Sequence, residues 1–102
     1  MIELRTTQDF ERWLAKLKDP VAKRQIALRL TRLQAGNPGD SKQIDERLFE
    51  LRLFTGPGYR IYYTRRGNRI ILLLCAGDKS TQPRDIEKAR RLLTELDREE
   101  TP

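Results

Sequence analysis

Leu48-Phe49-Glu50-Leu51-Arg52-Leu53, then Gly56-Pro57-Gly58-Tyr59-Arg60-Ile61-Tyr62-Tyr63, then Ile70-Ile71-Leu72-Leu73-Leu74 ahead of Gly77-Asp78-Lys79, is the stretch that decides the fold. Three short apolar runs joined by tight Gly/Pro turns predict an antiparallel meander. Side chains of a strand alternate between faces, so Phe49, Leu51 and Leu53 share one side. Ile61 and Tyr63 do the same in the next strand. With those sets on a common core, Arg52, Arg60 and Tyr62 fall together on the opposite face. The run from Ile70 to Ala76 is apolar at every position and reads as a central strand covered on both sides.

Working outward, Ile2 to Arg5 predicts a short strand, and Thr6 or Thr7 caps a helix with the stripe Phe10, Trp13, Leu14 and Leu17. Asp19-Pro20 starts a second helix, since Asp caps well and Pro suits the first turn. Its apolar side is Ala22, Ile26, Leu30 and Leu33. Lys23, Arg24, Arg29 and Arg32 lie elsewhere and read as a solvated cationic face. Gly36-Asn37-Pro38-Gly39-Asp40 ends it. Pro83 opens a third helix with Ile86, Ala89, Leu93 and Leu96 as its buried stripe, and Glu99 to Pro102 is expected to fray. The order β-α-α-β-β-β-α predicts an α+β domain over residues 1–98. In it the helical hairpin and the C-terminal helix pack on one face of a small, mostly antiparallel sheet.

Composition narrows the chemistry. At 102 residues the chain makes one domain of usual size. Its net charge of +6 favours anionic partners such as nucleic acid or an acidic protein. There is no histidine, so the usual general base and the commonest metal ligand are both missing. No cofactor or metal is implied. Cys75 is the one cysteine, which rules out an internal disulfide, fits a reducing cytoplasm, and reads as a buried, inert thiol. The apolar runs are too short to span a bilayer, and Met1-Ile2-Glu3-Leu4-Arg5 has no export-signal pattern, so a cytoplasmic protein is expected.

Chemistry must then come from Arg, Lys, Tyr, Glu or Asp. Arg60 stands out because Gly56-Pro57-Gly58 precedes it and Tyr59 and Tyr62 flank it. Arginines interleaved with aromatics suit RNA, whose phosphates need charge and whose unstacked bases need flat partners. Gly77-Asp78-Lys79 sits where the central strand ends in a loop, a common place for functional groups on a rigid support. The spacing of a Walker-type phosphate loop is absent.

Leu48 to Arg52, Gly56 to Tyr63, and Leu72-Leu73-Leu74-Cys75-Ala76-Gly77-Asp78-Lys79-Ser80-Thr81-Gln82 running into Asp85-Ile86 and Ala89 together resemble the RelE/ParE toxin superfamily. The likeness covers about residues 2–96 and is nearest the HigB-like, phage-related addiction-module killer proteins. It implies a RelE-like, microbial-ribonuclease-like fold and the toxin of a type II toxin–antitoxin system. The neutralising partner would be a helix-turn-helix (HigA-like) antitoxin, with operator DNA reached only through it and no membrane involved. Members of the RelE and HigB branches cleave messenger RNA in the ribosomal A site without metal, whereas ParE-type members poison DNA gyrase. The resemblance therefore implies a ribosome-dependent endoribonuclease, with a gyrase inhibitor or an inactive RNA- or antitoxin-binding module as the alternatives. It places Arg60 at the scissile phosphate, Lys79 as charge clamp or acid, and Arg52 at a supporting basic position. Glu50 stands where RelE itself has a lysine. Glu50 and Asp78 are the candidate bases, with Tyr62 behind them, and Arg52, Tyr62, Tyr59 and Arg65 are the candidate RNA contacts.

Overall fold

The computed structural model describes residues 1–100. Within them run β1 (Glu3–Thr6), α1 (Gln8–Lys16), α2 (Pro20–Gln34), β2 (Ser41–Gln43), β3 (Phe49–Arg52), β4 (Tyr59–Arg66), β5 (Ile70–Asp78), a 3-10 turn (Lys79–Thr81) and α3 (Gln82–Glu100). The strands form a five-stranded sheet in the order β1-β5-β4-β3-β2. β1 runs parallel to β5, and the other neighbours are antiparallel. This is the expected α+β architecture with one added strand. Ser41-Lys42-Gln43 has no apolar alternation to announce it. It forms because β3 offers a free edge on which backbone pairing alone suffices.

The helix starts follow the capping residues. The Thr7 hydroxyl accepts from the Phe10 N–H at 3.1 Å, and the Asp19 carboxylate accepts from the Ala22 N–H at 3.0 Å, each satisfying a donor that a helix leaves open at its first turn. Pro20 occupies the first position of α2, where its missing N–H costs nothing. Of the expected C-terminal fraying, Glu99 and Glu100 instead continue α3, and residues 101–102 lie outside the described residues.

The expectation of helices on one face requires correction. Phe10 of α1 and Ile26 and Leu33 of α2 pack against Leu51, Ile61, Tyr63, Ile71, Leu73 and Ala76 on one side of the sheet. Ala89 and Leu93 of α3 pack against Leu48, Tyr62, Leu74 and Cys75 on the other. The sheet is therefore a middle layer. The physical reason is β5, whose unbroken apolar run would leave one face wet if all three helices shared a side. A β-bulge makes the fit possible. Tyr62 stands opposite Cys75 and Tyr63 opposite Leu73, so Leu74 is the extra residue and Leu74 and Cys75 both turn toward α3.

Candidate functional site

Arg52, Arg60 and Gly77 lie side by side across three strands, since Arg52 pairs with Arg60 and Arg60 pairs with Gly77. Adjacent cations repel, and the chain answers with carboxylates. Arg52 Nη2 lies 3.3 Å from Asp40 Oδ1. Arg60 Nε lies 4.0 Å from Oε2 of Glu50, a carboxylate only 1% exposed. The Arg60 side chain is itself 11% exposed, and its Nη1 donates to the Gly58 carbonyl at 2.6 Å. Its Nε has no hydrogen-bond partner.

The stem of Lys79 lies beside the same glycine as this guanidinium. A β-carbon built on Gly58 would stand 3.1 Å from Arg60 Nη1 and 3.6 Å from Lys79 Cβ, so both residues line the same glycine. Gly58 also has φ +77°, where a side chain is strained, and a β-carbon there would press on the guanidinium. The loop before β4 therefore does more than turn the chain: its glycine makes room for Arg60, and its carbonyl holds Nη1.

Four of the expected site residues meet here in different conditions. Lys79 is exposed at the start of the 3-10 turn. Asp78 caps that turn, its Oδ1 accepting from the Ser80 N–H at 2.8 Å and the Ser80 hydroxyl at 2.5 Å. The Ser80 hydroxyl above all, with the backbone N–H groups of Ser80 and Thr81 and the charge of Arg60, holds this carboxyl below the usual range. Glu50 accepts from Gln82 Nε2 at 2.7 Å and faces Arg60. A carboxylate enclosed between an amide and a guanidinium orients the guanidinium, and it has no open path to a proton on a solute. The fully buried Tyr62 completes this layer, its hydroxyl beside Glu50 without a hydrogen bond of ordinary geometry. Burial first, and the Glu50 charge next, push its phenol far above the ordinary value.

The remaining expected contacts are elsewhere. Tyr59 turns toward α1 and α2, edge-on to Trp13 with ring centres 5.9 Å apart, and its hydroxyl donates to Asp19 Oδ2 at 3.2 Å. Arg65 is exposed five residues along β4 from Arg60, on the other face by strand alternation. Tyr62, although it stands in the site layer beside Glu50, has no free ring surface on which a base can stack.

Gln82 escaped sequence reasoning, because the first residue of a helix carries no mark of what its side chain will reach. Thr81 and Asp85 escaped it too. The Thr81 hydroxyl donates to Asp85 Oδ2 at 2.5 Å, directly over Gly77. Gly77 was legible as a strand end, and its real role is to leave room for that pair.

The arrangement can bind a compact anion and stabilise negative charge that grows during a reaction. Arg60 supplies a fixed cation, Lys79 an exposed one, and Arg52 a third that is partly offset by Asp40. Among the described residues no group of three or more His, Cys, Asp or Glu side chains could hold a metal ion, and no helix is long and apolar enough to cross a membrane.

Comparison with known proteins agrees with this architecture. One chain of the crystal structure of the intact E. coli RelBE toxin–antitoxin complex superimposes with a TM-score of 0.64 at 16% identity, covering 76% of this chain and 96% of that one. The fold is therefore RelE-like. An uncharacterized protein of Haemophilus influenzae (strain ATCC 51907 / DSM 11121 / KW20 / Rd) is 47% identical over 95 residues, which is 93% of this chain and 96% of the relative. The family model described as phage derived protein Gp49-like (DUF891) matches residues 12–94. On that match, the chain belongs to the phage-derived Gp49-like family.

Proposed function

We propose that this chain is the toxin of a toxin–antitoxin pair and acts as a metal-independent endoribonuclease on messenger RNA in the ribosomal A site. The RelE-like fold, the Gp49-like family and a fold neighbour taken from a toxin–antitoxin complex support the toxin role. The observation that carries the chemistry is the convergence of Arg60 and Lys79 around Gly58. On this reading the protein is cytoplasmic, and its antitoxin is a helix-turn-helix (HigA-like) protein that alone touches operator DNA.

In the proposed reaction the RNA 2′-hydroxyl attacks the neighbouring phosphorus and the bond from phosphorus to the 5′-oxygen breaks. The products are a 2′,3′-cyclic phosphate and a 5′-hydroxyl. Arg60 is always protonated, so it stabilises the doubly charged phosphorane and does not move the proton. Lys79 stands at the open side, where it gives a proton to the leaving 5′-oxygen. Glu50 and Gln82 hold the guanidinium in place. Asp78 is the carboxylate of the set that reaches solvent, and its low basicity makes it a weak acceptor for the 2′-hydroxyl proton. The free protein would then be a slow nuclease, and the ribosome would add rate by aligning the substrate.

The test is to induce wild type, Arg60→Ala and Arg60→Lys at matched protein level and to sequence RNA ends. Wild type should leave codon-linked ends in translated messages. Removing one contact to a developing oxyanion costs about 10²–10³ in rate, so Arg60→Ala should leave few such ends and permit growth. Intact messages accompanied by DNA breaks would replace the nuclease with a gyrase poison. Growth arrest by Arg60→Ala equal to wild type would remove Arg60 from the mechanism.

A further inference from the structure

α2 carries Lys23, Arg24, Arg29 and Arg32 and not one carboxylate, and the cationic face expected to be merely solvated is only part of what it shows outward. Its inner side buries Ala22, Ile26 and Leu33. Its outer side exposes Val21 at 53% and Leu28 at 50%, with Arg24 and Arg32 also exposed around them. The loop after β3 adds Phe54, 82% exposed. Leu28 and Phe54 line one shallow cavity of about 230 Å³ with Gln25, Arg29, Arg32 and Leu53.

Phe54 is not exposed because its loop is loose. Behind it, the Arg29 guanidinium donates to the carbonyls of Arg52 at 2.7 Å, Asp40 at 3.0 Å and Pro38 at 3.2 Å. Ahead of it, a β-carbon on Gly56 would lie 3.4 Å from Asp19 Oδ2, and the Tyr59 hydroxyl binds the same carboxylate. The ring is thus held out from a segment fastened to α2 on both sides. An exposed apolar patch with a charged rim is the usual form of a protein-docking surface.

Val21 and Leu28 are seven residues apart, two turns along one line of the helix, which matches the side-chain spacing of a second helix laid along it. The unbalanced cations of α2 call for carboxylates on that helix. We propose that the outer stripe of α2 together with Phe54 seats an acidic amphipathic helix of the antitoxin. This rests on the toxin–antitoxin assignment above and adds the contact surface. Because α2 packs on the sheet face opposite Arg60, its outer stripe lies away from Arg60, while Phe54, two residues past Arg52, brings the seat up to one end of the cationic row. An RNA strand fits it less well, since aliphatic Val21 and Leu28 offer nothing to phosphates and little for bases to stack on.

The probe is the protein encoded beside this chain whose co-expression restores growth, titrated against the purified full chain. The double variant Leu28→Asp, Phe54→Asp should bind it roughly 100-fold more weakly, as expected for central apolar anchors. Arg24→Glu with Arg32→Glu should weaken binding roughly 10-fold and flatten its salt dependence. Lys42→Glu, on exposed β2, should change nothing. All three variants should still arrest growth when expressed alone, which shows that they fold, and the first should escape neutralisation. A photo-crosslinker at position 54 should capture an acidic helical segment of the antitoxin. Unchanged affinity in both seat variants, or loss of RNA retention with antitoxin binding intact, would overturn the seat. If no neighbouring protein binds or neutralises wild type, the toxin–antitoxin assignment falls first and the seat falls with it.

Discussion

The two faces of the sheet are built on opposite principles. Under α1 and α2 the interface is dry: Phe10, Ile26, Leu33, Leu51, Ile61, Ile71 and Leu73 exclude water and ask nothing of each other except shape. Under α3 the apolar set of Leu48, Tyr62, Leu74, Ala89 and Leu93 is shared with Glu50, Thr64 and Asp85, all buried and polar. Buried charge is costly unless it is partnered, and here each carboxylate has a donor, Gln82 for Glu50 and Thr81 for Asp85. The first face contributes most of the hydrophobic stabilisation. The second gives up part of that gain to hold Arg60 at the rim of the sheet.

Neighbouring residues of β3 separate the two roles most sharply. Leu51 is fully buried on the dry face, and Leu51→Ala should cost about 2–5 kcal/mol in denaturant unfolding. The folded fraction of that variant should still cleave RNA at the wild-type rate. Glu50→Gln keeps shape and a partner for Gln82, so its stability loss should be smaller. Its cleavage rate should nevertheless fall about 10- to 100-fold, because a guanidinium displaced by about an ångström loses that much. Equal rate losses in the two variants would show that both faces matter only through stability.

Gly77→Ala tests how tightly α3 must sit. The added β-carbon would stand 1.9 Å from Asp85 Oδ2 and 2.7 Å from Thr81 Oγ1, so the start of α3 has to move. Overpacking of this kind costs about 1–3 kcal/mol. Because Gln82 begins the same helix, cleavage should fall with stability, whereas Gly67→Ala, strained by its φ of +57° but with nothing within 4 Å, should cost stability and leave cleavage by the folded protein unchanged.

The dry face was legible in the sequence and the mixed face was not, for a physical reason. Phe49, Leu51, Ile61 and Tyr63 announce themselves by period-two alternation, and Thr7, Asp19 and Pro20 announce helix starts through local capping chemistry. The same alternation put Arg52, Arg60 and Tyr62 on one side, correctly. It could not say that α3 would cover that side, which turned Tyr62 from a surface ring into core and Glu50 from a candidate base into an enclosed partner of Arg60. Arg29 is a similar case. A helix wheel reads it as one more outer cation, while its reach to three carbonyls depends on where two loops arrive.

The smallest expected effect is a pH dependence concentrated on the α3 face, although burial and the Asp19 hydrogen bond also raise the Tyr59 phenol on the other face. Cys75 and Tyr62 both lie under α3, and burial raises both, the thiol to about 12 and the phenol far above its ordinary value. In the unfolded chain they ionise near their ordinary values, about 9 for the thiol and about 10 for the phenol. A group whose folded value is raised stays protonated in the native state while the unfolded state loses its proton. Its stabilising contribution is therefore complete below the unfolded value and declines as pH rises through the interval up to the folded one. Unfolding free energy should fall above pH ~9, by at most about 1.4 kcal/mol per pH unit for each group. Cys75→Ala should remove the earlier part of that decline and Tyr62→Phe the later part, each read by denaturant titration at fixed ionic strength. Substitutions confined to the dry face, such as Ile71→Val, should shift the whole curve down without changing its slope. If Tyr62→Phe leaves the alkaline limb as steep as before, the Tyr62 hydroxyl is in contact with water, and α3 closes this side of the sheet less completely than its packing indicates.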